Sequence, residues 1–288
     1  LYELGGMVVM HDPSGCNSTY NTHDEIRWYD QDSLIFISGL TEIDAVMGND
    51  EKFLSDIKEA AREFHPKFIA LVSSPIPFMN GTDFPALAKV LEIETGIPSF
   101  AVPTNGMHDY VYGAGIAFEE IAKRFVTEKE TRENYVKRIV NLLGITPLDF
   151  GPISKVEELK KNLEQYGWKI ISTWAMGDTL EDLSNAGNAE VNLVVSSVGL
   201  RAARALKEKY GTPYVIGTPY KEYAERISEA LEKRIRIPAL EDRGKENLQG
   251  IGNSEKIITL IGEPVTTTSL AALIEKEYHY KTKVLCPL

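Results

Sequence analysis

The residues best suited to chemistry follow the first apolar run of the chain. His11-Asp12-Pro13-Ser14-Gly15-Cys16 comes directly after a strand-like segment. A cysteine just past a glycine turn, near the start of a helix, has its thiolate stabilised by backbone amides and by the helix dipole. Such a thiolate suits a metal ligand or a nucleophile. The alternative is a small, partly buried thiol in an ordinary turn, and composition alone favours that alternative.

Two further polar clusters follow later apolar runs. Ser73-Ser74-Pro75-Ile76-Pro77 is typical of a turn. Parallel strands end on a common face of the sheet, however, so we expect Ser74 to lie at the same sheet edge as Cys16. The cluster 104–109 contains Asn-Gly, which is first of all a turn signal. His108 within it is more simply an exposed or capping histidine than a metal ligand.

The second half of the chain offers two helix starts with hydroxyl side chains. Ser196-Ser197-Val198-Gly199 ends a strand-like run and opens a helix. Backbone amides at such a position can receive an anion, but helix capping by serine explains the pattern equally simply and is the favoured interpretation. The run Thr266-Thr267-Thr268 has the same two interpretations.

Several catalytic signatures are absent from the sequence. It has no Gly-x-x-x-x-Gly-Lys-Ser/Thr loop, and therefore no P-loop ATP site, and neither a Gly-x-Ser-x-Gly elbow nor His-Glu-x-x-His. With only Cys16 and Cys286, the chain has neither a disulfide scaffold nor a four-cysteine zinc site. The histidines lack metal-ligand spacing; they are His11, His23, His65, His108 and His279.

Short apolar runs alternate with amphipathic stretches, a pattern that predicts β/α units around buried parallel sheets. The predicted strands are 7–11, 34–38, 68–72, 99–102, 138–143, 169–173, 191–196, 213–216, 256–261 and 283–286. The predicted helices are 51–64, 84–94, 111–125, 155–165, 200–209, 221–233 and 267–277.

These elements predict an α/β fold of repeated Rossmann-like, doubly wound parallel-sheet domains. Residues 1–135 are predicted to form a first domain that carries Cys16, and residues 136–237 a second. Residues 238–254 are rich in charge and lack periodicity, which predicts a linker. Residues 255–288 are predicted to begin an incomplete third domain. We expect both ends of the sequence to be cut, because it starts at Leu1 and stops just after a strand-like run.

Composition excludes several classes of protein. Of the 288 residues, 25% are charged and 43% hydrophobic, which is ordinary globular usage and excludes disorder, collagen and coiled coil. The net charge of −11 argues against nucleic acid or a membrane surface as a partner. No apolar run approaches the ~20 residues that span a bilayer, and no signal peptide is evident. We therefore expect a cytoplasmic protein.

Taken in order, these residues resemble the nitrogenase component 1 family. The run 11–16 resembles the His-Gly-Pro-x-Gly-Cys motif of that family, which is fairly specific. The segment 40–49 resembles the family segment in which an acidic residue precedes Phe-Gly-Gly, and 72–76 is similar to Ser-x-Cys-Pro. Weaker similarities continue the series at Ile97-Pro98, Gly106, 113–115, Thr173-Trp174, 180–183 and 208–213.

The resemblance implies three Rossmann-like domains per subunit, paired subunits, and iron–sulfur clusters that receive electrons from a separate ATP-hydrolysing iron protein. The missing P-loop agrees with that division of labour. Carried over, Cys16 with Gly15 binds a cluster of the [4Fe-4S] type near a subunit interface, since thiolates hold such clusters. The family cysteine before proline is Ser74 here, which leaves a harder oxygen at a metal-ligand position. The second-domain cysteine that holds the catalytic cofactor falls at Ser196, so nitrogen reduction is not expected.

Three functions stay open at this point. The leading one is a nitrogenase-like oxidoreductase subunit that transfers electrons through a cluster at Cys16 to an unidentified reducible substrate. Its partners would be a second copy or a paralogous α/β-type subunit, together with the ATP-dependent iron protein. The others are a scaffold or assembly subunit that holds a cluster without turnover, and a cluster-free paralogue that acts as a binding module.

Overall fold

A computed structural model describes residues 1–13, 34–127, 138–234 and 257–287. The chain divides into two compact units, one of residues 1–120 with 177–180 and one of residues 121–176 with 181–288. The predicted domain boundary at 135/136 and the predicted linker lie outside the described residues. The three-domain division therefore stays a prediction.

The first unit contains a four-stranded parallel sheet in the order β2-β1-β3-β4. Its strands are β1 (Gly6–His11), β2 (Ile35–Ile37), β3 (Phe68–Ser73) and β4 (Ser99–Val102). Its helices are α1 (Glu42–Met47), α2 (Asp50–Phe64), α3 (Pro75–Met79) and α4 (Phe84–Thr95); the boundary between the units falls within α5 (Tyr110–Phe125).

The core of the first unit explains why these segments take these forms. Phe53, Ile57 and Ala61 recur every four residues along α2, so they share one face, and all three are buried. They pack in one cluster with strand residues such as Met7 and Leu71, both fully buried. Consecutive buried residues along β1 and β3 fit a parallel sheet that is covered on both faces.

The second unit repeats this design and adds a smaller sheet. Its four-stranded parallel sheet has the order β6-β5-β7-β8, and a separate parallel pair joins β9 to β10. The strands are β5 (Ile139–Leu143), β6 (Lys169–Ser172), β7 (Val191–Val194), β8 (Tyr214–Ile216), β9 (Ile257–Ile261) and β10 (Lys281–Leu285). The helices are α6 (Pro147–Phe150), α7 (Ile153–Glu164), α8 (Leu180–Ser184), α9 (Leu200–Tyr210), α10 (Tyr223–Lys233) and α11 (Pro264–Tyr278).

The predicted α/β class is confirmed, and every predicted strand and helix has a counterpart. The main differences are short helices where turns or loops were expected. The Ser-Pro cluster that predicts a turn instead opens helix α3, because Pro75 stands at the first helical position, which tolerates proline. Helix α11 begins at Pro264 instead of Thr267 for the same reason, with Glu263 capping it. None of the helices in the described ranges is both long and apolar enough to cross a bilayer.

Each four-stranded sheet has one point where successive connections turn to opposite sides. In the first sheet this switch point lies between β1 and β3, and in the second it lies between β5 and β7. The loops beyond the carboxyl ends of these strand pairs diverge and leave a crevice, where ligands of open α/β sheets usually bind. The two switch points are therefore the places to look for a functional site.

Candidate functional site

The candidate residues of the first unit converge on the switch point of its sheet. Ser74 directly follows β3, and its Oγ donates a 3.1 Å hydrogen bond to the carbonyl oxygen of His11, the last residue of β1. In the register of the sheet, His11 faces Ser73. Ser74 therefore lies where the 11–16 turn leaves the sheet. Gly15 and Cys16 lie outside the described residues, so their predicted role stays a prediction.

Ser74 does not cap helix α3 with its side chain. It occupies the N-cap position with extended backbone, but its hydroxyl turns to His11 and makes no bond to a helix amide. The hydroxyl is half-buried at the carboxyl edge of the sheet. An oxygen in this position can become a metal ligand only by giving up its hydrogen bond to the His11 carbonyl.

The loop after β4 closes on the same edge, as its sequence predicts. Thr104 Oγ1 donates a 2.8 Å hydrogen bond to the Ser73 carbonyl oxygen. Asn105 is buried, and its Oδ1 lies 2.9 Å both from the Met107 amide and from His108 Nδ1. His108 itself is exposed and stacks on Tyr112 at a ring-centroid distance of 3.9 Å. This histidine orders its loop.

Ser38, which the sequence motifs did not single out, completes this edge. It follows β2, and its Oγ lies 2.8 Å from His11 Nδ1 and accepts a 3.1 Å bond from the Asp12 amide. The His11 ring also packs at 4.2 Å from the Phe53 ring. Burial in this setting lowers the pKa of His11, against the opposing effect of nearby carboxylates. The only sequence signal for Ser38 is a serine at a strand end.

An exposed apolar surface lies on the two short helices beside this edge. We call it the α1/α3 surface: Ile43, Val46, Met47, Phe78 and Met79, with 74%, 82%, 78%, 50% and 78% of each residue exposed. The spacing of Ile43, Val46 and Met47 places them on one face of α1. Asn80 Nδ2 donates a 2.8 Å bond to the Ala45 carbonyl oxygen and holds the two helices together. The sequence pattern does not predict the short helix α3 that carries Phe78 and Met79.

The switch point of the second sheet is closed. Ser196 is fully buried, and its Oγ donates a 2.6 Å hydrogen bond to the Gly144 carbonyl oxygen. The loops after β5 and β7 touch through backbone, because a Cβ on Gly199 would overlap the Leu143 carbonyl group. The predicted cofactor-binding role of Ser196 stays a prediction, and its hydroxyl is already engaged with the neighbouring loop.

The helix start at Ser197 receives an anion, and that anion belongs to the chain itself. Glu263 Oε1 accepts 2.6 Å hydrogen bonds from both the backbone amide and the Oγ of Ser197. Glu263 Oε2 accepts a 2.7 Å bond from the Thr266 amide and so caps α11. Burial, and then the charges of Glu263 and other carboxylates, raise the pKa of the nearby Tyr220 to about 12.

No set of three or more His, Cys, Asp or Glu side chains in the described ranges is placed to hold a metal ion. The described ligand candidates of the first unit reduce to one oxygen, at Ser74. A metal group at this edge therefore needs the thiolate of Cys16 and ligands from outside one described chain.

Parallel sheets with polar loops gathered at a switch point define a doubly wound α/β protein. The chain belongs to the nitrogenase component 1 type oxidoreductase family, whose model matches residues 5–262. The predicted resemblance is thereby confirmed. A solved structure, nitrogenase Cp1 at pH 5, shares the fold with a TM-score of 0.69 and 22% identity over 99% of this chain and 61% of that one.

Relatives of different roles match the chain at similar levels. It is 28% identical over 258 residues to the nitrogenase molybdenum-iron protein alpha chain of Azospirillum brasilense, covering 84% of this chain and 52% of the relative. It is 24% identical over 225 residues to the cofactor biosynthesis protein NifE of Klebsiella pneumoniae, with coverages of 74% and 48%. For a light-independent protochlorophyllide reductase chain of Nostoc punctiforme the values are 24%, 220 residues, 74% and 43%. The chain thus spans about half the length of these relatives.

Proposed function

We propose that the chain is a nitrogenase-like component 1 subunit that transfers electrons through an iron–sulfur cluster and does not itself reduce nitrogen. The cluster is of the [4Fe-4S] type and is held by Cys16, with Ser74 at a second ligand position and Gly15 allowing the close turn. Electrons come from an ATP-dependent iron protein. Thiolates that hold a cluster need a reducing compartment, which fits the cytoplasm.

The observation that carries this proposal is the hydrogen bond from Ser74 to the His11 carbonyl oxygen. It joins the first residue of the 11–16 turn to the residue at the family's second cysteine position. These two segments are separated by more than sixty positions in the sequence, and a shared site explains why both carry family motifs.

The donor atoms decide how the cluster can be held. Sulfur is the softer ligand and binds cluster iron in preference to a serine oxygen, so the main ligand of this chain is Cys16. One thiolate is too few for a cluster with four irons. A second subunit, either another copy or a paralogue, therefore supplies the others. When bound, the cluster supplies one-electron transfer at low potential.

The α1/α3 surface supports a subunit contact at this edge. Five large apolar residues lie exposed on two adjoining helices, and contiguous exposed apolar patches on a folded protein mark interaction sites. The surface lies beside Ser74, since α3 begins at the next residue. A partner that covers it would also exclude water from the proposed cluster edge.

A charge on this surface should separate the subunits. We expect Val46→Glu to weaken association at least tenfold, or about 1.4 kcal/mol, because an ionised carboxylate would be buried in an apolar contact. Ile93→Glu is the matched control: Ile93 is 72% exposed in the same unit but lies on α4. Light scattering across a concentration series measures the change. Equal behaviour of both variants and the parent protein would contradict the proposed interface.

A thiol at position 74 tests the second ligand position. Ser74→Cys in anaerobically purified protein should raise the iron content or shift the cluster's reduction potential, because sulfur is the softer ligand. Ser73→Cys serves as a control, since Ser73 Oγ bonds to the Ser74 carbonyl oxygen within the adjacent strand end. Unchanged iron and potential in Ser74→Cys would make Ser74 a purely structural residue.

Purification without oxygen tests the function as a whole. Iron and acid-labile sulfide in the isolated protein would separate the oxidoreductase and the scaffold from a cluster-free binding module. The scaffold alternative is favoured by the similarity to a cofactor biosynthesis protein. Reduction of the cluster by an iron protein with ATP, followed by turnover of a reducible substrate, distinguishes the oxidoreductase; a cluster that is passed to another protein distinguishes the scaffold.

A further inference from the structure

The family's catalytic cofactor position falls at the second switch point, and the residues present there do not fit such a group. Ser196 stands where a ligand cysteine is expected, but its side chain is fully buried and donates to the Gly144 carbonyl oxygen at 2.6 Å. The loops after β5 and β7 approach each other so closely at Gly199 that a methyl group has no space. A cofactor ligand has to point into open space, and this one points into the neighbouring loop.

We propose that Glu263 is an internal ligand that seals this crevice. Its carboxylate takes the place that an external anion would occupy, with two 2.6 Å hydrogen bonds from Ser197 to Oε1 and one of 2.7 Å from Thr266 to Oε2. Charge-assisted bonds of this length are among the stronger ones in proteins. The inference rests on the proposed function, because it leaves the first switch point as the chain's redox site.

A second contact holds the same helix against the same sheet edge. Ser269 of α11 is buried, and its Oγ accepts a 2.9 Å hydrogen bond from the amide of Thr218, which follows β8. Thr218 Oγ1 in turn donates a 2.9 Å bond to the Val195 carbonyl oxygen, next to Ser196. Helix α11 therefore covers the edge at two points, and Glu263 is the charged one.

Thiol labelling of Ser196→Cys tests the seal directly. The native variant is treated with an alkylating reagent, and labelling of each cysteine is followed by peptide mass spectrometry. Cys286 is exposed and serves as the reference within the same chain. We expect Ser196→Cys to react on the order of a hundredfold more slowly than Cys286, because a buried thiol reacts only through local opening. Labelling as fast as that of Cys286 would overturn the proposal.

The part played by Glu263 requires a second substitution. Glu263→Ser keeps a residue that caps α11 well but is too short to reach Ser197. In the Ser196→Cys background it should speed labelling roughly tenfold or more, because the charged bonds that hold the crevice shut are lost. Glu275→Ser is the matched control, since Glu275 lies on the same helix and accepts bonds from Thr282 instead. Equal labelling with and without Glu263→Ser would show that Glu263 does not seal the crevice.

This experiment is independent of the proposed cluster. It measures no iron, so rapid labelling of Ser196→Cys overturns the seal and leaves the cluster at Cys16 standing. A protein without iron would overturn the cluster and leave the labelling result unchanged.

Discussion

Cys16→Ala should abolish iron binding. In the proposed site this side chain is the only thiolate that the first unit supplies, because the other cysteine of the chain, Cys286, follows β10 in the second unit. Alanine offers no ligand atom, and the oxygen of Ser74 is a harder ligand that is also bonded to the His11 carbonyl oxygen. Iron, acid-labile sulfide and the visible charge-transfer absorption should all disappear in protein purified without oxygen.

Cys286→Ala is the matched control for this result. Its thiol is exposed, so the variant should keep the iron content and absorption of the parent protein. Circular dichroism of Cys16→Ala should match that of the parent, since only one side chain is shortened. Full iron in folded Cys16→Ala would show that Cys16 is not a ligand.

Gly199→Ala should be the most destabilising single methyl group in the second unit. The backbone of Gly199 is ordinary for any residue, with φ of −74°, so the cost comes from space alone. The added Cβ would overlap the carbonyl group of Leu143 and approach the Gly144 amide at 2.7 Å. Backbone atoms cannot rotate away, so we expect a loss of about 3 kcal/mol in the free energy of unfolding, at the upper end for overpacking.

Gly113→Ala is the control for that prediction. A Cβ at Gly113 would meet only the Thr104 Cγ2 atom, at an ordinary contact distance of 3.6 Å. Gly113 lies within α5, where alanine is favoured over glycine by up to about 1 kcal/mol. Urea unfolding should therefore show a neutral or stabilising effect. A loss at Gly199 no larger than the change at Gly113 would mean that the two loops can move apart.

Much of the fold follows from sequence because the signals are local. Runs such as 68–72 are continuously apolar and become buried strands, and the four-residue recurrence of Phe53, Ile57 and Ala61 becomes the buried face of α2. The position of Ser74 at the edge where the 11–16 turn begins also follows, since parallel strands end on one face. The ligand role of Cys16 and Gly15 stays a prediction.

The remaining features depend on contacts between distant segments. Nothing near Ser197 in the sequence shows that Glu263 will fill its helix start. The α1/α3 surface is equally hidden, because Ser-Pro clusters are turn signals and the helix α3 appears only once Pro75 stands at its first position. Ser38 has no distinctive pattern either, because it is one serine after a short strand.

The shared strand order of the two larger sheets has an evolutionary consequence. Both sheets place the second strand outside the first and the third and fourth on the other side, so one chain carries the same crevice twice. Repetition of this kind frees each copy to change on its own: one crevice can lose its ligands and become ordinary core while the other keeps its chemistry. Substitutions at Ser196 and Glu263 should then be tolerated or rejected according to stability alone, whereas those at Ser74 should be judged by electron transfer as well.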